Sequence, residues 1–190
     1  MKLLKEKILK EGKVLPGNIL KVDGFLNQQL DITLIQEIGK EFAKRFEGLN
    51  VNKILTVESS GIGIACIAAQ YMNNVPVVFG KKHKTLKRGD DFYATKIFSF
   101  THNREYEVTI AKKFISEDDV ILIIDDFLAN GEAVHGLMDI ISQAGATLAG
   151  IGIAVEKGFQ GGGDALREKG IKLESLAIVD SMTDDSIAFR

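Results

Sequence analysis

The sequence predicts a single α/β domain built on a mainly parallel, twisted sheet that helices flank. Apolar segments of strand length alternate with segments of helical periodicity along most of the chain, as in βαβ units. The segment Val120–Ile124 is apolar at every position, which is typical of a parallel strand covered on both faces. The 190 residues are 45% hydrophobic and 26% charged, so one core suffices and residues 1–190 are expected to form one domain.

The N-terminal part predicts two helices separated by short extended pieces. A first helix presents Leu4 and Ile8 on one face, and brief extended pieces surround Pro16-Gly17. The second helix begins after Asp31, a residue type that caps helix N-termini, and its apolar positions recur every three or four residues until Gly48 ends it.

The middle of the chain predicts a βαβ unit followed by a hairpin. A strand at 54–57, a helix at 62–72 and a strand at 75–79 have the spacing of parallel neighbours. The segments 92–101 and 105–111 resemble the two strands of a β-hairpin. A hairpin does not belong to a plain doubly wound sheet, so we expect a flexible lid here.

The C-terminal part continues the alternation. A helix at 132–143 ends at Gly145, and a strand at 150–155, a short helix at 164–169 and a strand at 173–178 follow.

Composition excludes several classes of partner. The net charge of −2 indicates no extended surface for nucleic acid or an anionic membrane. No apolar stretch approaches the roughly 20 residues that span a bilayer. The only cysteine, Cys66, lies in an apolar run, so we expect it in the core and expect a reducing, cytoplasmic location.

Two carboxylates and a loop of small residues follow the apolar strand. Asp125 and Asp126 can accept hydrogen bonds from vicinal hydroxyls, and N–H groups at the start of a helix bind anions. Together they predict a site for a ribose phosphate. Without the loop, a pair of acids that caps the next helix is equally plausible, whereas a receiver-type metal site fits poorly because the pair lies late in the chain. The predicted phosphate loop comprises Ala129, Asn130, Gly131, Glu132 and Ala133.

Two further strand ends carry features that suit phosphate. Ser59, Ser60 and Gly61 form a small turn before a helix that could hold a diphosphate, although taken alone an ordinary N-capped helix is the simpler explanation. The next strand leads into a basic loop in which Lys81 and Lys84 are candidates for polyphosphate contact. A solvated charge run or nucleic-acid contact are the alternatives for that loop.

The strand at 150–155 is followed by Lys157 and Phe159. A lysine there can donate to a ligand carbonyl while the ring packs on a planar heterocycle, and a surface lysine beside a core phenylalanine is an equally plausible explanation. The four strand ends together suit phosphoribosyl diphosphate (PRPP) and an oxo-substituted base. The histidines lack ligand-like spacing, so no zinc site is expected.

The acid pair with its loop resembles the PRPP motif of type I phosphoribosyltransferases. The segments 20–31, 58–61, 125–133 and 156–160 look like the bacterial xanthine phosphoribosyltransferases, in register over most of the chain. The resemblance implies the type I phosphoribosyltransferase fold with a hairpin lid and a small hood formed by about residues 1–30 and the C-terminal segment.

The same resemblance implies roles for individual residues. Leu20 and Asn27 would belong to the hood over the purine, Lys157 would contact the base carbonyl, and Asp125 and Asp126 would hold the ribose hydroxyls. It further implies a homodimer, Mg²⁺ carried by PRPP and not by protein ligands, and purine salvage that converts xanthine and PRPP to xanthosine 5′-monophosphate (XMP) and diphosphate.

Two departures from the family pattern and two alternative functions remain. Gly158 stands where serine is expected and Ile64 where proline is expected. A hypoxanthine or guanine phosphoribosyltransferase is the first alternative. A regulator that senses PRPP or purines on the same fold is the second, although the sequence carries no basic helix-turn-helix.

Overall fold

The computed structural model of the chain describes residues 1–83, 91–99, 104–183 and 186–190. The helices of these ranges are α1 (Lys2–Glu11), α2 (Ile32–Arg45), α3 (Gly61–Gln70), α4 (Glu132–Gln143) and α5 (Gly162–Glu168). The strands are β1 (Lys13–Leu15), β2 (Ile19–Lys21), β3 (Lys53–Val57), β4 (Val77–His83), β5 (Phe92–Ser99), β6 (Arg104–Ala111), β7 (Val120–Leu128), β8 (Thr147–Lys157), β9 (Leu173–Thr183) and β10 (Ser186–Phe189).

The strands confirm the predicted α/β fold with its mainly parallel sheet. An eight-stranded sheet has the order β10-β9-β8-β7-β3-β4-β6-β5, and its central neighbours from β9 to β4 are parallel. Antiparallel pairs extend it at both edges, with β10 beside β9 and the predicted hairpin β5–β6 beside β4. Strands β1 and β2 form a separate two-stranded ribbon.

The first five positions of β7, 120–124, are all apolar because helices cover both faces of the sheet. Leu122 and Ile124 point into the core beneath α1, α2 and α3, whereas Ile121 and Ile123 point into the core beneath α4. All four side chains are fully buried. The missing alternation in the sequence therefore reflects burial on two sides.

The hairpin packs against α4. A Cβ atom built on Gly136 would lie 2.6 Å from Ile97 Cγ1, so the glycine allows the strand to approach the helix closely. The Gln143 side-chain amide donates to the Ala94 carbonyl at 2.9 Å and accepts from the Ala94 N–H at 3.4 Å. These contacts place one wall of the functional site. Of the predicted connection at 102–104, residues 102 and 103 lie outside the described residues, and Arg104 begins β6.

Several elements differ from the sequence predictions. Strand β7 continues to Leu128, because its pairing with β8 continues to the end, so the acid pair lies inside the strand. Cys66 is exposed, because Ala65 and Ala68 occupy the core-facing positions of α3. A π-helix at Asp23–Asn27 and the edge strand β10 were not predicted. Within the described ranges, none of the helices combines the length and apolarity that a membrane span requires.

Candidate active site

A cleft of about 500 Å³ lies at the carboxyl ends of the central parallel strands, where parallel sheets bind ligands. Residues from the end of β7, the predicted phosphate loop, the hairpin, the β1–β2 ribbon and the end of β8 line it. Its lining comprises Gly17, Asn18, Ile19, Ile97, Phe98, Tyr106, Phe127, Leu128, Ala129, Asn130, Gly131, Glu132, Ala133, Val134, Lys157 and Gln160.

The predicted phosphate loop lines this cleft over its full length. Gly131 has φ of +92°, a conformation that glycine adopts without strain, and precedes the first residue of α4. Its carbonyl accepts from the backbone N–H of His135 at 2.8 Å, which closes the first helical turn. The remaining N–H groups of this turn and the positive end of the helix dipole suit a phosphate.

The acid pair combines a buried and a half-buried carboxyl group. Asp125 is 5% exposed, and its Oδ1 accepts from the backbone N–H of Asp126 at 3.0 Å. Burial and the neighbouring carboxylate of Asp126 raise the pKa of Asp125 well above its usual range, and the charge of Lys82 partly opposes this. Asp126 Oδ2 accepts from the Ser60 hydroxyl at 2.6 Å.

The predicted diphosphate turn lies directly against the acid pair. A Cβ atom on Gly61 would lie 2.6 Å from Asp125 Oδ1 and 2.7 Å from Thr56 Oγ1, so only glycine fits there without a shift. The Ser60 bond to Asp126 joins the same two segments. Ser59 is exposed. The structure thus brings two of the predicted subsites together.

The basic segment places Lys82 near the cleft, and the roles of Lys81 and Lys84 stay predictions. Lys81 is exposed, and Lys84 lies outside the described residues. The Lys82 ammonium lies 5.1 Å from the ring centroid of Tyr106, which lines the cleft, and its backbone N–H donates to Glu58 Oε2 at 3.1 Å. Because β4 extends into this segment, Lys82 and Lys81 alternate in direction.

Lys157 lines the same cleft as the predicted phosphate loop. It is the last residue of β8, and its ammonium donates to the Asn18 carbonyl at 3.0 Å. Partial burial lowers the pKa of Lys157. This position agrees with a contact to a ligand carbonyl, and the contact stays a prediction.

The other predicted purine contacts do not line the cleft. Leu20 is 5% exposed and packs in the core, Asn27 is exposed at the end of the π-helix, and Phe159 is 38% exposed. Their neighbours Ile19 and Gln160 line the cleft instead. The roles of these three residues stay predictions.

Several cleft residues were missed by sequence reasoning, among them three polar ones. Tyr106, Asn18 and Gln160 lie on the hairpin, the ribbon and the segment after β8. Burial, followed by the charge of Asp125, raises the pKa of Tyr106. The hairpin and the turn at Pro16-Gly17 were visible signals, but only the tertiary fold brings them to the cleft.

Glycine at position 158 has a steric explanation. A Cβ atom there would lie 2.9 Å from Ile178 Cγ2, 3.2 Å from the Val179 carbonyl oxygen and 3.3 Å from a guanidinium nitrogen of Arg190. The C-terminal segment therefore closes against the residues that follow Lys157.

A buried ion pair supports the same segment. Glu156 is fully buried and receives two hydrogen bonds from Arg167 of α5, at 2.9 and 2.7 Å, and one from the Ser175 hydroxyl. Its ionic partner and its hydrogen bonds offset the cost of burying this carboxylate in the core. The pair fixes α5 to the strand that ends in Lys157.

Solved structures share this architecture. The Giardia lamblia adenine phosphoribosyltransferase complexed with 9-deazaadenine has 19% identical residues and a TM-score of 0.77, with 94% of this chain and 98% of that chain covered. The fold is that of the phosphoribosyltransferases, and the acid pair followed by its phosphate loop lies at the expected strand end.

Full-length relatives specify the family. "Xanthine phosphoribosyltransferase 2" of Clostridium botulinum (strain Langeland) is 58% identical over 190 residues, covering 100% of both chains. "Xanthine phosphoribosyltransferase" of Lachnoclostridium phytofermentans is 58% identical over 192 residues, covering 100% of this chain and 98% of the relative. No model of a protein family matches the chain. The chain belongs to the xanthine phosphoribosyltransferase family.

Proposed function

We propose that the chain transfers the phosphoribosyl group of PRPP to xanthine, giving XMP and diphosphate in purine salvage. The observation that carries the proposal is the cleft lined by the end of β7, the phosphate loop and Lys157, with the acid pair immediately before it on β7. The relatives named for xanthine support the choice of base.

The proposed step is a displacement at C1′ of PRPP. The bond between C1′ and N9 of xanthine forms, the bond between C1′ and the diphosphate oxygen breaks with its electron pair, and the N9 proton passes to solvent. Residues 129–133 would hold the 5′-phosphate, and Asp125 and Asp126 would accept hydrogen bonds from the ribose hydroxyls. Their charge would also favour the positive charge that develops on the ribose ring.

The departing diphosphate would face the turn at Ser59 to Gly61. Its N–H groups and the lysines of β4 supply positive electrostatic potential there. Lys157 would donate to an oxygen of xanthine, which disfavours adenine because adenine has no carbonyl group.

Magnesium fits this site when PRPP carries it. Carboxylate oxygens are ligands that Mg²⁺ prefers, and it binds through one or two of them together with substrate phosphates. Among the residues described, no group of three or more His, Cys, Asp or Glu side chains could hold a metal ion. Asp125 and Asp126, at the end of β7 beside the predicted phosphate loop, are the carboxylates we propose near it. Bound there, Mg²⁺ would neutralise charge on the diphosphate.

The test supplies the purified chain with PRPP, Mg²⁺ and each of xanthine, guanine, hypoxanthine and adenine, and measures nucleotide and diphosphate. We expect the highest kcat/KM with xanthine. Higher efficiency with guanine or hypoxanthine would assign the chain to those bases, and PRPP binding without any product would favour a regulator. The double variant Asp125→Asn, Asp126→Asn is the control; normal turnover in it would contradict the carboxylate roles.

Two further features belong to the proposal. We propose a homodimer, from the resemblance to the family, and a cytoplasmic location, because a salvage enzyme must meet PRPP where it is made. Fractionation of cells that express the tagged chain tests the cytoplasmic location.

A further inference from the structure

The contact between Lys157 and Asn18 joins two distant parts of the chain at the cleft. The Lys157 ammonium donates to the Asn18 carbonyl oxygen at 3.0 Å across 139 positions of sequence. Both residues line the cleft, one at the end of β8 and the other in the turn between β1 and β2. The ribbon and the main sheet therefore meet at the base end of the site.

The turn that presents this carbonyl has an unusual backbone conformation. Gly17 has φ of +85° and Asn18 has φ of +60°. Glycine and asparagine adopt this left-handed region far more readily than other residues, whereas β-branched residues are genuine outliers there. The direction of the carbonyl group consequently depends on the type of residue at position 18.

The contact leaves the ammonium available for a ligand. Lysine has three donors, and the bond to Asn18 uses one of them. A neutral carbonyl also leaves the positive charge of Lys157 uncompensated, unlike a carboxylate partner. A flexible side chain held in one position loses less conformational entropy when a ligand arrives.

We propose that Asn18 is a positioning residue for Lys157 and thereby a determinant of base recognition. The proposal rests on the function proposed above, in which Lys157 faces the base. Asn18 acts through its backbone carbonyl, so its side chain matters because it permits the left-handed turn.

Two substitutions separate the backbone conformation from the side chain. Asn18→Val disfavours the left-handed turn and should raise KM for xanthine about tenfold, which is the effect of losing one hydrogen bond to a charged group. KM for PRPP should change by less than about twofold. Asn18→Gly keeps the conformation and should behave like the unmodified chain. Asn73→Val is the matched control, because Asn73 is exposed with φ of +57° and does not line the cleft.

A double-mutant cycle then tests whether Asn18 acts through Lys157. In a Lys157→Ala background, Asn18→Val should raise KM for xanthine no further. An equal rise in KM for xanthine in both backgrounds would overturn the proposal. So would an unchanged KM for xanthine in the single variant Asn18→Val. A rise in KM for Asn18→Gly as large as that for Asn18→Val would also overturn it.

The cycle also distinguishes this proposal from the proposed function. If the unmodified chain does not convert xanthine, the proposed function fails. The cycle is then measured with the base that the chain converts fastest, and the same non-additivity decides whether Asn18 positions Lys157.

Discussion

At the scale of single residues, Asp125 is the clearest conflict between the stability of the fold and the function that we propose for a residue. Its carboxyl group lies inside β7, almost fully buried and next to Asp126. Burial without a cationic partner in hydrogen-bond contact disfavours the charged form, which is why its pKa is raised. Such a group is retained at a functional site although it weakens the fold.

We predict that Asp125→Asn stabilises the protein at neutral pH and lowers turnover. Because its pKa is raised, Asp125 binds a proton more tightly in the folded state than in the unfolded state. Its favourable contribution to the free energy of unfolding is therefore complete below the unfolded pKa. That contribution is lost as the pH rises through the folded pKa. Near pH 7, Asp125→Asn should therefore raise Tm by a few degrees, since each kcal/mol of stability corresponds to about 2–4 °C. Near pH 4 this gain in Tm should vanish. Thermal unfolding across this range measures it.

The matched control is Asp119→Asn, which should change Tm at pH 7 in the opposite direction. Burial raises the pKa of Asp119, but hydrogen bonds from Lys53 and Ser116 lower it overall. Its stabilisation is present above its unfolded pKa and lost as pH falls through the folded value, so the variant should be less stable at pH 7. Destabilisation by Asp125→Asn at pH 7 would contradict the account of this carboxyl group.

At the scale of elements, α5 links the part of the cleft that contains Lys157 to the predicted phosphate loop. A Cβ atom on Gly162 would overlap the carbonyl oxygen of Ala129, so the start of this helix packs directly on the phosphate loop. At its other end, Arg167 binds Glu156 next to Lys157. Displacing α5 would disturb both sides.

We predict that Gly162→Ala raises KM for PRPP severalfold. The added methyl group must push the backbone at Ala129, and small displacements of a phosphate cradle cost binding. Steady-state kinetics with varied PRPP measures the change. Gly24→Ala is the control, because a Cβ atom at Gly24 meets nothing within 4 Å. Equal KM values for the two variants would show that the contact has no effect on PRPP binding.

We also predict that Arg167→Met destabilises the fold by about 3–5 kcal/mol, because it leaves the buried carboxylate of Glu156 without its ionic partner. The double variant with Glu156→Gln removes the charge and should recover part of the loss. Urea unfolding measures both. A loss below about 1 kcal/mol in Arg167→Met would mean that Ser175 alone satisfies the carboxylate.

At the scale of the whole molecule, the central sheet was predictable and its edges were not. The apolar run in β7 and the helical period of α2 are local patterns that the structure confirms. Strand β10 has only four residues of mixed exposure, too short for a periodic signal. Similarly, Asn18 and Tyr106 reach the cleft only because distant segments fold together. Local sequence patterns therefore pointed to the loop and the acids, whose roles stay predictions, but not to the hairpin and ribbon residues that line the cleft.

We predict that the whole molecule is a homodimer in solution, as the family resemblance implies. The chain has a mass of 20.8 kDa, so sedimentation should give a species of twice that mass. Side chains such as Leu9, Ile32 and Phe114 are at least 50% exposed and offer apolar surface for association. A single monomeric species at micromolar concentration would contradict the prediction.

The β1–β2 ribbon also has a consequence for evolution and engineering. Each of its strands has three residues, and they pair with each other, not with the eight-stranded sheet. Residues 13–21 can thus be exchanged between related enzymes as a cassette without breaking any strand pairing of the main sheet. If the ribbon positions Lys157 as we propose, such an exchange would alter the recognition of the base and leave the predicted phosphate loop unchanged.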